Sequence, residues 1–197
     1  HQPYYAGKFP ERSGLEPGSD KLGSGELETV EALVYGIQAA DRALGALIEY
    51  FETVEEPTII VFWGDHLPGL YVDDNRTIYS MLEYVPTVNT LEWDAQIMKR
   101  MHTTPFLVWN NYDAQIEVPE STGPSALGVH ILNWAGVAKP LYFQWVEQSM
   151  DTMELYRTRL YIDDEGVPYK QPPEEDKEVV ERYRNLVYDL VYGEGLT

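Results

Sequence analysis

The sequence predicts an α/β fold: a mostly parallel sheet flanked by helices, with a small antiparallel hairpin and a helix towards the C-terminal end. Three observations carry that prediction. The stretch Pro57-Thr58-Ile59-Ile60-Val61-Phe62-Trp63-Gly64-Asp65-His66-Leu67-Pro68-Gly69 holds an apolar run, 58–63, with neither charge nor alternation. Such a run suits a strand covered on both faces, as in a parallel sheet. A long helical stripe precedes it, which makes a helix-to-strand unit. Residues 155–162 alternate in part and lead into a turn and a last helical repeat, the pattern of an antiparallel strand and its packing helix.

In chain order, residues 7–25 are rich in Gly, Pro, Ser and charge and read as a surface loop. Ser24 is placed to cap a helix whose first turn carries Glu26 and Glu28, favoured by the helix dipole. Leu27, Val30, Leu33, Ile37, Ala40, Leu44, Leu47 and Phe51 follow at steps of three and four. They predict an amphipathic helix over 26–53, about 40 Å long at 1.5 Å per residue. Gly36 and Gly45 are expected to mark close approach of another part of the chain.

Beyond the first strand, 73–76 is a polar break, and short helices are expected over 76–84 and 93–101. Thr104-Pro105-Phe106-Leu107-Val108-Trp109-Asn110 is the second clear strand, with Pro105 at its start. Asn110 and Asn111 end it and suit a turn. A helix is expected over 125–135, stopped by Gly136, and another over 141–150. His102 and His130 have no partner at ligand spacing and read as structural. Asp163, Asp164 and Glu165 read as a solvated turn, since no EF-hand spacing follows. Residues 167–169 are expected to pair back on the preceding strand. Val180, Tyr183, Val187 and Leu190 give the buried face of the final helix.

Composition bounds the function. The 197 residues include 44% apolar side chains, enough for a core, and allow one domain of ordinary size. With 14 basic and 33 acidic residues the net charge is −19. That surface is expected to repel nucleic acid and anionic headgroups, which argues against a nucleic-acid function. The absence of cysteine removes disulfides and thiolate sites. No run approaches the roughly 18 apolar residues of a membrane span, and no signal peptide is seen. The chain opens at His1 with no initiator Met and reads as a piece of a larger protein whose membrane anchor lies elsewhere.

The candidate site is the end of the first strand. In open α/β sheets ligands sit beyond the carboxyl ends of strands. Asp65 and His66 lie at that end, where Gly64 and Pro68-Gly69 let the backbone turn. A hard carboxylate oxygen next to an imidazole nitrogen suits a divalent cation such as Zn or Mn. The pair equally suits a capped turn with a satisfied polar residue.

The segment Phe62-Trp63-Gly64-Asp65-His66-Leu67-Pro68-Gly69 resembles the "GDH-L-P" segment of lipoteichoic acid synthase-like phosphoglycerol transferases, in the sulfatase branch of the alkaline phosphatase superfamily. The likeness continues in pieces: His1-Gln2-Pro3-Tyr4 resembles the family's His-x-Pro-Tyr/Phe segment, and Ala40-Asp41-Arg42-Ala43-Leu44-Gly45 its helix before the metal loop. Thr104-Pro105-Phe106 resembles the following strand, and Tyr188-Asp189-Leu190-Val191-Tyr192-Gly193 a C-terminal segment.

The resemblance implies a partial alkaline phosphatase/sulfatase-like sandwich. Residues 1–197 would be the C-terminal part of a catalytic domain, with 1–150 its α/β portion and 151–197 a hairpin and helix. It implies Asp65 and His66 as metal ligands, Mn favoured with Zn or Mg as alternatives, and His1 as a substrate-phosphate contact. The nucleophile and first acidic ligand would lie upstream of His1, so the fragment alone is expected to be inactive. The implied parent enzyme acts at the extracellular face of the bacterial membrane on a glycerophosphate-bearing lipid or glycan. Two alternatives stand beside it. One is a sulfatase, phosphatase or phosphoethanolamine transferase of the same superfamily. The other is a non-catalytic acidic interaction domain.

Overall fold

The computed structural model describes residues 3–114 and 116–193, which form helices and small antiparallel sheets: a mixed α/β architecture, as predicted. The chain divides into two compact units. His1–Trp93 with Met101–Asn111 make the first, and Asp94–Arg100 with Tyr112–Thr197 the second. His1 itself lies outside the described residues.

The first unit is built on helix α1, Ser24–Phe51. It starts one residue earlier than Ser24 capping would require. Gly23 is the N-cap, with no side-chain hydrogen bond, and its carbonyl accepts the Leu27 N–H at 3.0 Å. The apolar stripe is only partly covered, since Ile37, Ala40 and Leu47 are exposed. Ala32 is buried, as is Glu31, whose carboxylate accepts the Ser13 N–H at 2.5 Å. Gly36 marks a close approach, but of a side chain: a Cβ there would stand 2.8 Å from the Tyr4 ring. Lys8 sits over that ring at 4.3 Å and donates to the Pro3 carbonyl at 2.7 Å, so the N-terminal segment is docked rather than trailing.

Strand β1, Ile59–Trp63, follows. Strand β2, Tyr71–Asp73, and β3, Arg76–Thr77, make a small hairpin where a bare polar break was expected, closed by Arg76 donating to Asp73 at 2.7 Å. Helix α2, Ile78–Met81, is shorter than expected. Thr77 and Ser80 cap each other at its N-terminus, which fixes the start of the helix. Helix α3, Ala95–Met101, begins after Asp94, whose Oδ1 accepts the Ile97 N–H at 2.7 Å.

Strand β4, Phe106–Asn110, pairs with β1 in the register Ile59↔Asn110 to Trp63↔Phe106. The pairing is antiparallel, where a mostly parallel sheet was expected. The expected coverage of both faces is not met either, since no residue of β1 is buried and Phe62 and Trp63 are exposed: an unbroken apolar run fixes neither the coverage of a strand nor the direction of its neighbour. Every strand pair among the described residues is antiparallel.

The second unit holds α4, Pro124–Trp134, and α5, Leu141–Ser149. Gly136, at φ 64°, stops α4 as predicted. Lys139 clasps Asn133 and Glu147 at 2.5 and 2.6 Å, tying the two helices. The expected single strand over 155–162 is two: β5, Met153–Arg157, and β6, Leu160–Asp163, joined by a tight turn with Arg159 at φ 68°. No Gly, Asn or Asp stands at that turn to signal it. Strand β7, Pro168–Tyr169, pairs back on β6 as expected.

A short 3-10 turn, Glu174–Asp176, leads into α6, Lys177–Tyr192. Val180 of α6 closes a core with Met153 and Tyr161, and Tyr156, Val179 and Tyr183 pack around it. Tyr161 is wholly buried, its hydroxyl within 2.9 Å of the Thr152 carbonyl and 2.8 Å of the Asp176 carboxylate. Burial first, then the hydrogen bond to the Asp176 carboxylate, pushes this phenol well above its ordinary value. No helix among the described residues is long and apolar enough to cross a membrane.

Candidate functional site

The loop between β1 and β2 carries Asp65 and His66, and both of its ends are fixed. At the strand end, the Gly64 N–H donates to the Pro105 carbonyl at 3.2 Å, and the Thr104 hydroxyl donates to the Gly64 carbonyl at 2.6 Å. A Cβ on Gly64 would lie 3.0 Å from the Thr104 Cβ, so close packing is what glycine permits here. At the other end, Leu70 is buried at φ 45° and its carbonyl accepts the Ile78 N–H at 3.0 Å. The site loop is therefore pinned to β4 on one side and to α2 on the other.

Between these anchors the two predicted side chains come together. The His66 Nε2 stands 3.4 Å from the Asp65 Oδ2, and both side chains are largely exposed, at 61% and 85%. The Asp65 Oδ1 accepts the His66 N–H at 2.9 Å, which orients the carboxylate. The His66 Nδ1 lies 2.9 Å from the Leu67 carbonyl, which can only accept, so the proton belongs on Nδ1. In the neutral ring this leaves the Nε2 lone pair turned to a carboxylate oxygen. Two acceptors that close repel unless a proton or a cation lies between them. The same arrangement, an imidazole whose far nitrogen is tied to a backbone carbonyl, is how proteins aim a metal-ligating histidine. The donor set, one hard oxygen and one imidazole nitrogen, fits Mn or Zn. It is a pair only: among the described residues no group of three His, Cys, Asp or Glu could hold a metal ion.

Exposed aromatic side chains border the loop in sequence, with Trp63 51% and Tyr71 76% accessible. The exposure of Trp63 departs from the expectation that the run 58–63 is covered on both faces.

The other histidine that the structure details is structural. His130 stacks on Trp134 at 5.6 Å, and burial holds its pKa below the ordinary value despite the opposing effect of Glu147. Asn111 has the turn role expected of it, and more. Its Nδ2 lies within 2.8 to 3.2 Å of the Val54, Glu56 and Phe51 carbonyls, while its Oδ1 accepts the Thr58 N–H at 2.8 Å. One carboxamide thus closes the α1–β1 connection and sets where β1 begins. Thr104 is a positioning residue that the sequence did not single out, and Asn111 does more than the turn expected of it. The only signal was a hydroxyl at the entry to β4 and a carboxamide just past its exit.

Asp65 and His66 thus stand on a pinned loop at the carboxyl end of β1, in a sheet of two antiparallel strands. The chain belongs to the Sulfatase family, whose model matches residues 1–137. It is also 25% identical to a Rhizobium meliloti (strain 1021) protein whose name assigns it provisionally to cyclic beta-1,2-glucan modification. That likeness covers 98% of this chain and 30% of the relative, so the chain spans under a third of the relative's length. No solved structure matches.

Proposed function

We propose that this chain belongs to a metal-dependent enzyme that transfers phosphoglycerol to a glycan at a bacterial cell surface, with Asp65 and His66 as two ligands of its cation, manganese by preference. The observation that carries the reading is the His66 ring: its Nδ1 sits on the Leu67 carbonyl and its Nε2 stands 3.4 Å from the Asp65 carboxylate. Within a Sulfatase-family chain, that is the arrangement a bound cation would use.

The cation, when bound, lowers the pKa of a hydroxyl nucleophile and neutralises charge on the phosphoryl oxygens. The chain's own residues do the rest. Asp65 holds charge at the loop and orients the following amide, His66 keeps its proton on Nδ1, and Thr104 holds Gly64 against β4. In a chain of net charge −19, positive charge at this loop also offsets the field that repels a phosphate. His1 is the proposed phosphate contact, by resemblance alone. The nucleophile is assigned to no residue of this chain. A glycan as acceptor, rather than a lipid, follows the name of the Rhizobium relative.

Manganese titration followed by electron paramagnetic resonance tests the metal assignment. Asp65→Ala and His66→Ala are each expected to weaken binding by more than about tenfold, the least that losing even a group that only orients a ligand typically costs. Equal affinity in the parent chain and both variants would falsify it. A transfer assay on the whole enzyme to which the chain belongs then separates chemistries: phosphoglycerol appearing on cyclic β-1,2-glucan supports the proposal, and hydrolysis of a sulfate ester instead selects the sulfatase alternative.

A further inference from the structure

The second unit carries a cleft that the site above does not use. Residues 182, 185, 186 and 189 fall at i, i+3, i+4 and i+7, so they share one face of α6. That face meets Trp145 of α5 across a cavity of about 450 Å³ lined by Trp145, Arg182, Asn185, Leu186 and Asp189. A second cavity of about 340 Å³ shares Trp145 and Arg182 and runs on towards Gln148, Glu175 and Glu178. Each falls within the roughly 300–1,000 Å³ of small-molecule sites, and together they flank one indole. Trp145 is held by stacking on Tyr183 at 6.2 Å and 26°.

The chemistry of this cleft is selective. The indole and Leu186 offer an apolar floor. Around them stand a guanidinium that only donates, a carboxylate that only accepts, and a carboxamide that does both. A sugar ring matches that set: it has flat C–H faces for the indole and hydroxyls that donate and accept. Two cavities sharing one aromatic wall fit a run of linked sugars better than a single small metabolite. Charge narrows the class further. Arg182 already has Glu178 at 3.4 Å, and Glu175 and Asp189 add negative charge, so a polyanion is disfavoured and a neutral glycan is not. The cleft also lies past residue 137, beyond the Sulfatase match but within the reach of the likeness to the Rhizobium protein.

We propose that the α5–α6 cleft is an ancillary glycan-binding site that holds the neutral acceptor glucan through Trp145, Arg182, Asn185 and Asp189. The choice of glucan rests on the acceptor class proposed above, while the binding itself needs no cation.

Isothermal titration calorimetry of the chain with neutral cyclic β-1,2-glucan, in EDTA, tests it. Saturable binding is expected. The exposed double variant Arg182→Ala with Asn185→Ala is expected to weaken it about tenfold, near 1.4 kcal/mol. Trp145→Phe, which keeps a ring, is expected to retain more affinity than Trp145→Ala, with circular dichroism confirming that each is folded. No heat at millimolar glucan, or binding unchanged in the double variant, overturns the proposal. So does sedimentation showing that α6 pairs with a second copy that glucan cannot displace. Because EDTA removes any cation, glucan binding that persists while manganese binding fails overturns the metal assignment alone.

Discussion

The pinned loop of the first unit and the buried hairpin of the second solve opposite problems with similar means. In the loop, Asp65 and His66 are exposed and the surrounding backbone is fixed by Thr104, Pro105 and Ile78. In the hairpin, Tyr161 is fully buried and its own side chain is the fixture, packed by Met153 and Val180 and bonded through its hydroxyl. The lesson is that exposure of a side chain and rigidity of its position are separate properties. A site needs the second with the first, and a core needs the second without it.

The sharpest way to test that contrast is Tyr161. Tyr161→Ala removes a ring that meets no solvent, and is expected to cost about 4 kcal/mol in denaturant unfolding. Tyr161→Phe keeps the ring, removes the one O–H shared between the Thr152 carbonyl and the Asp176 carboxylate, and is expected to cost about 1 kcal/mol. A cost for the alanine variant under about 1 kcal/mol would show that the hairpin core does not hold the second unit.

Asn111→Ala comes next. It leaves the Thr58 N–H and the carbonyls of Phe51, Val54 and Glu56 to find other partners, at an expected cost of about 2 kcal/mol. Asn111→Asp keeps the acceptor for Thr58 but loses the donors, so it is expected to recover only part of that loss. Recovery of full stability by the aspartate would mean that the donor half of the carboxamide contributes nothing.

Alkaline pH probes the buried hairpin without mutation. Burial raises the pKa of Tyr161, and of Tyr142 beside Tyr183, above the ordinary 10. Each keeps its proton in the folded chain after the unfolded chain has lost it. The unfolded state then binds fewer protons, so this stability is present below about pH 10 and declines as pH rises through the folded values. Tyr161→Phe is expected to flatten that decline in urea midpoints measured between pH 9 and 11. An unchanged slope would remove the Tyr161 phenol as its source.

How much of this was legible in the sequence divides along the same line. The stripe of α1, the two apolar strands and the Gly136 stop announced themselves, because each is a local pattern of side-chain chemistry. The neighbouring Asp65 and His66 were legible for the same reason, since adjacent residues on a turn need no tertiary contact to meet. Strand direction was not legible, because the runs 58–63 and 104–110 look alike whichever way they pair. The turn at Thr158-Arg159 was hidden by ordinary residues, one of them at positive φ. The roles of Thr104 and Asn111 depend on partners 40 and 53 positions away, which no local pattern encodes.

Thr104 gives the smallest expected loss of stability and the most direct test of what the loop's anchors do. Thr104→Val keeps the shape packed against Gly64 and removes only the hydroxyl that donates to the Gly64 carbonyl. One part-buried hydrogen bond is worth about 1 kcal/mol, so unfolding is expected to shift by no more than that. Position is another matter. Gly64 immediately precedes Asp65, and the Thr104 hydroxyl, with the Pro105 carbonyl, ties that strand end to the segment leading into β4. If the anchor sets where the carboxylate stands, manganese affinity should fall about tenfold, the effect typical of losing a group that orients a ligand. Thr104→Ser, which restores the hydroxyl, should restore most of it. A valine variant that loses stability yet binds manganese as tightly as the parent would show that the loop orients Asp65 and His66 by its own local bonds, and that β4 is only a support.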